Sequence, residues 1–291
     1  MADWITIRSE ALTASINPRG AELSSLADAQ GRALMTDADP AYWTGRAPLL
    51  FPIVGRVRDD RLRSGGRDHA MGKHGFARRL PFALIDHSAD RAHFRLEDTP
   101  ETRAAYPFAF RLDAVFTLAG PTLDMAITIA NPGDAPLPAS FGFHPAFAWP
   151  LPYGAARENH AIEFAAPEPG ALKRITPEGY STTPVRPSPV EGTRLALADA
   201  LFEDDALVWD PVNSQSLRYG APGGPGLRID FPDTPRLGIW TKPGARFICV
   251  EPWHGIADPE GWTGDFADKP GVFMVAPGGA WRGTMRVTLE P

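Results

Sequence analysis

Apolar and polar residues alternate with a period of two along much of this chain, and the alternation is repeatedly broken by proline and glycine. Residues 110–118 read F-R-L-D-A-V-F-T-L, Gly120-Pro121 turns the chain, and residues 122–130 follow as T-L-D-M-A-I-T-I-A. Successive side chains of a strand face opposite sides, so this pattern predicts a hairpin rather than helices. Residues 236–241 and 246–250, around Lys242-Pro243-Gly244, read as a second hairpin. Residues 272–275 and 281–289, around Pro277-Gly278-Gly279, read as a third, with Trp281, Gly283, Met285, Val287 and Leu289 on one face. The 31 prolines and 28 glycines lie scattered between such segments, which marks many turns and not a disordered tract.

Helical signals are few. Residues 190–201 contain helix formers without a sustained 3.6-residue period, and residues 100–106 suit a single turn. No stretch alternates strand and helix as a parallel sheet requires. Gly223-Gly224-Pro225-Gly226 lacks the strand–turn–helix context of a phosphate loop and reads as a hairpin tip. The expectation is an all-β, large antiparallel structure, one sandwich domain over residues 1–291.

A chain of 291 residues buries roughly 75% of its unfolded surface and needs neither a disulfide nor a metal to fold. Cys249 is the only cysteine, which rules out an intrachain disulfide, and thiolate zinc sites are expected to be absent. Between Ile248 and Val250 it reads as a small buried hydrophobe. The net charge of −6 argues against a nucleic-acid surface, and the cluster Lys73, Arg78, Arg79 reads as a solvated face. The start at Met1-Ala2-Asp3-Trp4 lacks the pattern of a signal peptide. The apolar run 47–54, interrupted by Pro48 and Pro52, is too short to span a bilayer. A cytoplasmic protein is expected, with no nucleic-acid or membrane partner, as a monomer or weak homodimer.

Three segments place titratable groups among apolar neighbours: His74-Gly75-Phe76-Ala77-Arg78, Phe141-Gly142-Phe143-His144-Pro145, and Phe247-Ile248-Cys249-Val250-Glu251-Pro252-Trp253. A carboxylate or imidazole in such surroundings is costly unless paired or solvated, and desolvation tunes acids and bases. Two histidines and a glutamate from distant parts of the chain therefore suggest an assembled acid/base site. Tyr42-Trp43, Trp240 and Trp253 can stack on the C–H faces of a sugar while His and Glu bind its hydroxyls. Taken singly, each tryptophan also fits core filling, His144 a hydrogen-bonded core histidine, His74 a loop histidine, and Glu251 an ion pair with Arg56 or Arg78. His69, His87, His93 and His160 have no motif around them and are expected at the surface.

These segments, together with Asn17-Pro18-Arg19-Gly20-Ala21-Glu22-Leu23, Asp39-Pro40-Ala41-Tyr42-Trp43, Pro48-Leu49-Leu50-Phe51-Pro52-Ile53-Val54-Gly55-Arg56 and Cys249-Val250-Glu251-Pro252-Trp253-His254-Gly255, occur in the order found in the aldose 1-epimerase superfamily. The chain resembles that galactose mutarotase-like superfamily, and within it the LacX-like branch, from about Asn17 to Trp281. The resemblance implies a β-supersandwich that interconverts the α and β anomers of a free sugar without metal or other cofactor. It implies Glu251 as general base, His144 as general acid and His74 as a ligand of the ring-oxygen side. Arg56, Arg78, Asp205, Trp43 and Trp253 are implied as substrate-binding residues, with Asp204 the alternative register for Asp205 and His254 at the rim. The carboxylate is expected to favour a protonated His144.

The partner so implied is a monosaccharide or a sugar phosphate. A hexose-6-phosphate mutarotase, distinguished by phosphate contacts from Arg56 or Arg78, is one alternative. A sugar-binding protein that no longer catalyses is another. Glycoside hydrolysis fits poorly, since it ordinarily needs two flanking carboxylates.

Overall fold

The computed structural model describes residues 4–183 and 185–291; the leader reading begins in residues 1–3, outside the described residues. Nine antiparallel strands form the larger sheet, and the first expected hairpin is at its heart. Arg111–Ala119 pairs with Thr122–Ala130 in unbroken register from Thr122↔Ala119 to Ala130↔Arg111. Leu123, Met125, Ile127 and Ile129 are buried while the residues between them are half-exposed, as the alternation requires. Ala280–Glu290 pairs along the other edge of Thr122–Ala130 and brings Gly283, Met285 and Val287 to the same buried face.

The third expected hairpin does not form. Phe273–Val275 pairs with Leu137–Ala139 in a small separate sheet, whereas Ala280–Glu290 enters the nine-stranded one. Asn131 separates them: its N–H donates to Gly279 O, its carbonyl accepts from Gly278 N–H, and its side-chain amide donates to Val275 O. The glycine turn is thereby bound to a distant segment instead of closing its own strand pair.

The second expected hairpin is present and forms the middle of a six-stranded sheet. Arg236–Trp240 pairs with Phe247–His254, from Arg236↔Trp253 to Trp240↔Cys249. Phe247–His254 also pairs with Phe141–Phe143 and with Ala146–Ala148, and is buried along nearly its whole length. Both of its faces are covered. Ile248 and Val250 join the main core with Leu112, Phe116, Ile127 and Val287 of the larger sheet. Cys249 and Trp253 belong to two smaller clusters on the opposite face. Glu251, between them with a period of two, stands on that opposite face.

The single turn expected near residue 100 is the helix Pro100–Ala105, capped by Thr99 in a capping box with Thr102. Residues 190–201 instead hold the strand Arg194–Ala196 and a 3₁₀ turn, because pairing with Ala161–Phe164 overrides helix propensity. The glycine-rich segment at 223–226 does join two paired strands, Ser216–Gly220 and Gly226–Asp230. His160 is not a surface residue: it is 2% exposed, and its Nε2 accepts the Leu151 N–H at 3.0 Å. Among the described residues no helix is long and apolar enough to cross a membrane.

Candidate active site

The outer face of Phe247–His254 is the floor of a pocket of about 490 Å³. Its shape starts from two glycines. Gly142 and Gly238 lie on the strands flanking Phe247–His254, and a Cβ at either would come within 2.5 Å of the Trp253 indole. The ring therefore spreads across both neighbours, next to Glu251, which is paired in register with Gly238.

Glu251 is 2% exposed, and its Oε2 lies 3.2 Å from His144 Nε2. Among the described residues the carboxylate has no other hydrogen bond or ion pair, so neither Arg56 nor Arg78 is its partner. His144 sits in the link between Phe141–Phe143 and Ala146–Ala148, and this link is fixed to the floor by the Val250 N–H, which donates to Pro145 O at 3.1 Å. Trp43 stacks on the imidazole with ring centroids 4.9 Å apart and planes at 27°. Trp240 meets the same ring edge-on at 6.0 Å. Both indoles line the pocket, whereas Tyr42 packs behind them.

This apolar enclosure sets the protonation of the pair. Burial first, then the positive charges of Arg78 and Lys73, pushes His144 from 6.5 down to about 3. Burial also pushes Glu251 well above the usual carboxylate range, against the pull of Lys73 and Arg78. The expectation that the carboxylate holds His144 as imidazolium therefore gives way to desolvation. One proton shared as carboxylic acid and neutral imidazole leaves no net charge on either group.

His74 enters from a strained turn. It has φ +65°, its N–H donates to Gly55 O at 2.7 Å, and its Nδ1 accepts the Gly55 N–H at 3.2 Å. Gly75 must follow, since a Cβ there would lie 2.1 Å from Phe51 O. Burial and the neighbouring His144 hold His74 well below its ordinary value, so the ring is neutral and Nε2 carries the proton. The His74 and His144 centroids are 5.8 Å apart.

Asp205 lines the pocket at φ +72°, with Oδ1 accepting the Ala206 N–H at 2.8 Å. Asp204 instead reaches Arg174, with Oδ2 2.8 Å from its Nη2. Arg78 lines the pocket; Arg56 does not. The Arg56 guanidinium grips Asp60 through two 2.8 Å bonds and donates to Glu178 O at 3.0 Å. His254 packs on Phe273 and Trp281 and is not among the residues lining the pocket.

Sequence reasoning missed Lys73 and Lys242 as pocket residues. Lys73 adjoins His74, so the expected solvated face is in part a pocket wall. Lys242 could have been found by following the second hairpin two residues past Trp240. Against the expectation of no thiolate zinc site, the donor atoms of His144, Cys249 and Glu251 all lie within 4.8 Å of one another, so these three residues could also hold a metal ion.

Known proteins are similar to this chain in sequence and in fold. The sequence profile of the family described as aldose 1-epimerase matches residues 3–260. The chain is 33% identical to chromosomal Protein LacX of Lactococcus lactis subsp. lactis, over 94% of this chain and 95% of that protein. A solved galactose mutarotase-like protein from Lactobacillus casei superposes with TM-score 0.91 at 28% identity, covering 99% of this chain and 100% of that one. A galactose mutarotase related enzyme from Lactobacillus acidophilus gives TM-score 0.89 at 28% identity, covering 99% and 98%. With the sandwich, the pocket and the ordered motifs in place, this chain belongs to the aldose 1-epimerase family, in its LacX-like branch.

Proposed function

We propose that the pocket binds a free monosaccharide and interconverts its α and β anomers by acid/base ring opening. The observation that carries this reading is the buried Glu251–His144 pair, 3.2 Å apart on an indole-walled floor. Opening a cyclic hemiacetal removes the proton of the C1 hydroxyl and delivers one to the ring oxygen. Glu251 takes the first, protonated His144 gives the second, and the C1–O5 bond breaks to leave a C1 aldehyde. Rotation about C1–C2 and return of both protons closes the ring on the other face of the carbonyl. Each positioned acid or base contributes roughly 10²–10⁴-fold.

At the open-chain stage Glu251 is protonated and His144 neutral, the distribution that burial favours. Desolvation thus stabilises the ring-opened state relative to the ion pair that precedes it. The nearby charges of Lys73 and Arg78 act in the opposite sense on Glu251 and keep the ionised base within reach. His74 Nε2–H can donate to the ring-oxygen side, Asp205 can accept from a hydroxyl, and Trp43 and Trp253 can cover the C–H faces.

A second reading, a 6-phosphorylated hexose as substrate, is favoured by one observation. Lys73 and Arg78 line the pocket beside Lys242, and among the described residues neither Lys73 nor Arg78 makes a hydrogen bond or ion pair. Decay of optical rotation after dissolving α-glucose, α-galactose and the 6-phosphates separates the readings. Acceleration of the neutral sugars supports the first. Acceleration confined to the phosphates, and lost in Arg78→Ala, supports the second. Sugar binding without any acceleration would leave a binding protein.

A further inference from the structure

We propose that His144, Cys249 and Glu251 form a site for a thiophilic divalent cation such as Zn²⁺, which shuts down the pocket by occupying its acid–base pair. Cys249 is fully buried and has no part in the ring-opening chemistry, yet it shares a strand face with Glu251 at a spacing of two. The third donor comes from across the floor, where the Pro145–Val250 hydrogen bond and the Trp43 stack hold the imidazole in place.

A four-coordinate ion with ordinary zinc bond lengths sets its donors about 3.3–3.6 Å apart. His144 Nε2 and Glu251 Oε2 already stand at 3.2 Å, and with the Cys249 sulfur all three donors fall within 4.8 Å. Binding the ion requires one side chain to move by about 1 Å. A thiolate, a carboxylate and a divalent cation sum to zero charge, which suits an enclosure that disfavours any isolated ion. His144 and Glu251 open onto the pocket, leaving a fourth position for water or a sugar hydroxyl. The thiolate selects zinc, cadmium or cobalt over magnesium and calcium. Lys73 and Arg78 repel a cation here and limit its affinity.

The inhibitory consequence rests on the mutarotase reading; the metal site does not. The test uses the full chain after chelator treatment and dialysis, with Co²⁺ as spectroscopic probe. Wild type is expected to show a thiolate-to-cobalt charge-transfer band, absent in Cys249→Ala and Cys249→Ser and removed by Zn²⁺. Cys249→Ala is expected to keep basal mutarotation while needing at least about tenfold more Zn²⁺ for half-inhibition. A cobalt spectrum without that band in wild type, or one unchanged in a folded Cys249 variant, would overturn the site. Equal zinc inhibition of wild type and Cys249→Ala would overturn the regulatory consequence. If no sugar is turned over, the cobalt spectrum still decides the metal site.

Discussion

Replacing Glu251 by Gln removes a carboxyl group whose burial opposes ionisation, and this has a thermodynamic signature separate from catalysis. The folded chain raises the Glu251 pKa well above 4.5, so it retains a proton that the unfolded chain releases above that value. Wild-type stability is therefore lost as pH rises through and beyond the carboxylate range, whereas Gln has no proton to retain. The difference grows at up to about 1.4 kcal/mol per pH unit, hence by up to about 2.7 kcal/mol over about two units. His144, lowered to about 3, withdraws stability as pH falls below 6.5, but it does so in both proteins and drops out of the difference. At roughly 2 °C per kcal/mol for a chain of this size, Glu251→Gln should gain Tm relative to wild type as pH rises from about 5.5, by up to about 5 °C at about pH 7.5. Calorimetric melts of both proteins across that interval provide the assay. A Tm difference independent of pH, or one that favours wild type more as pH rises, would refute the reasoning about desolvation.

Three further substitutions probe the architecture of the site. Gly238→Ala places a Cβ 2.5 Å from the Trp253 ring, which must move by about 1 Å; a stability loss of about 1–3 kcal/mol and a kcat/KM lowered about 10–100-fold are expected from melts and kinetics. Arg56→Ala frees Glu178 O, which adjoins Gly179 in the pocket wall, so KM should rise about threefold with kcat nearly unchanged. A fall in kcat at constant KM would instead mean that Arg56 meets the transition state directly. Lys269→Met leaves Asp258 buried without its 3.1 Å partner and should cost about 3–5 kcal/mol in denaturant unfolding.

Features decided by neighbouring residues were legible in the sequence. The hairpin through Gly120-Pro121 and the one through Lys242-Pro243-Gly244 needed only alternation and a turn. The turn at residues 277–279 carried the same signals but is held by Asn131, a partner more than a hundred residues away that periodicity cannot reveal. His160 was misplaced for a similar reason, because its partner is a backbone N–H of the loop at Leu151. Within the site, residue types were readable but side-chain directions were not. Asp205 and Asp204 are separated by a single positive φ, which sends one into the pocket and leaves the other on Arg174. Arg56 and Arg78 looked equivalent until Asp60 and Glu178 took up the first. The protonation of His144 turned on how completely Trp43 and Trp240 enclose it, a property of packing.

The claim that Glu251 and His144 open sugar rings is tested most directly at equilibrium, by exchange NMR on the α and β H1 signals of glucose, galactose and their 6-phosphates. Wild-type protein should accelerate exchange between the two signals for at least one sugar, and a folded Glu251→Gln variant should slow that exchange by roughly 10²–10⁴-fold. Exchange as fast in Glu251→Gln as in wild type, or no acceleration by wild type with any of these sugars, would contradict it.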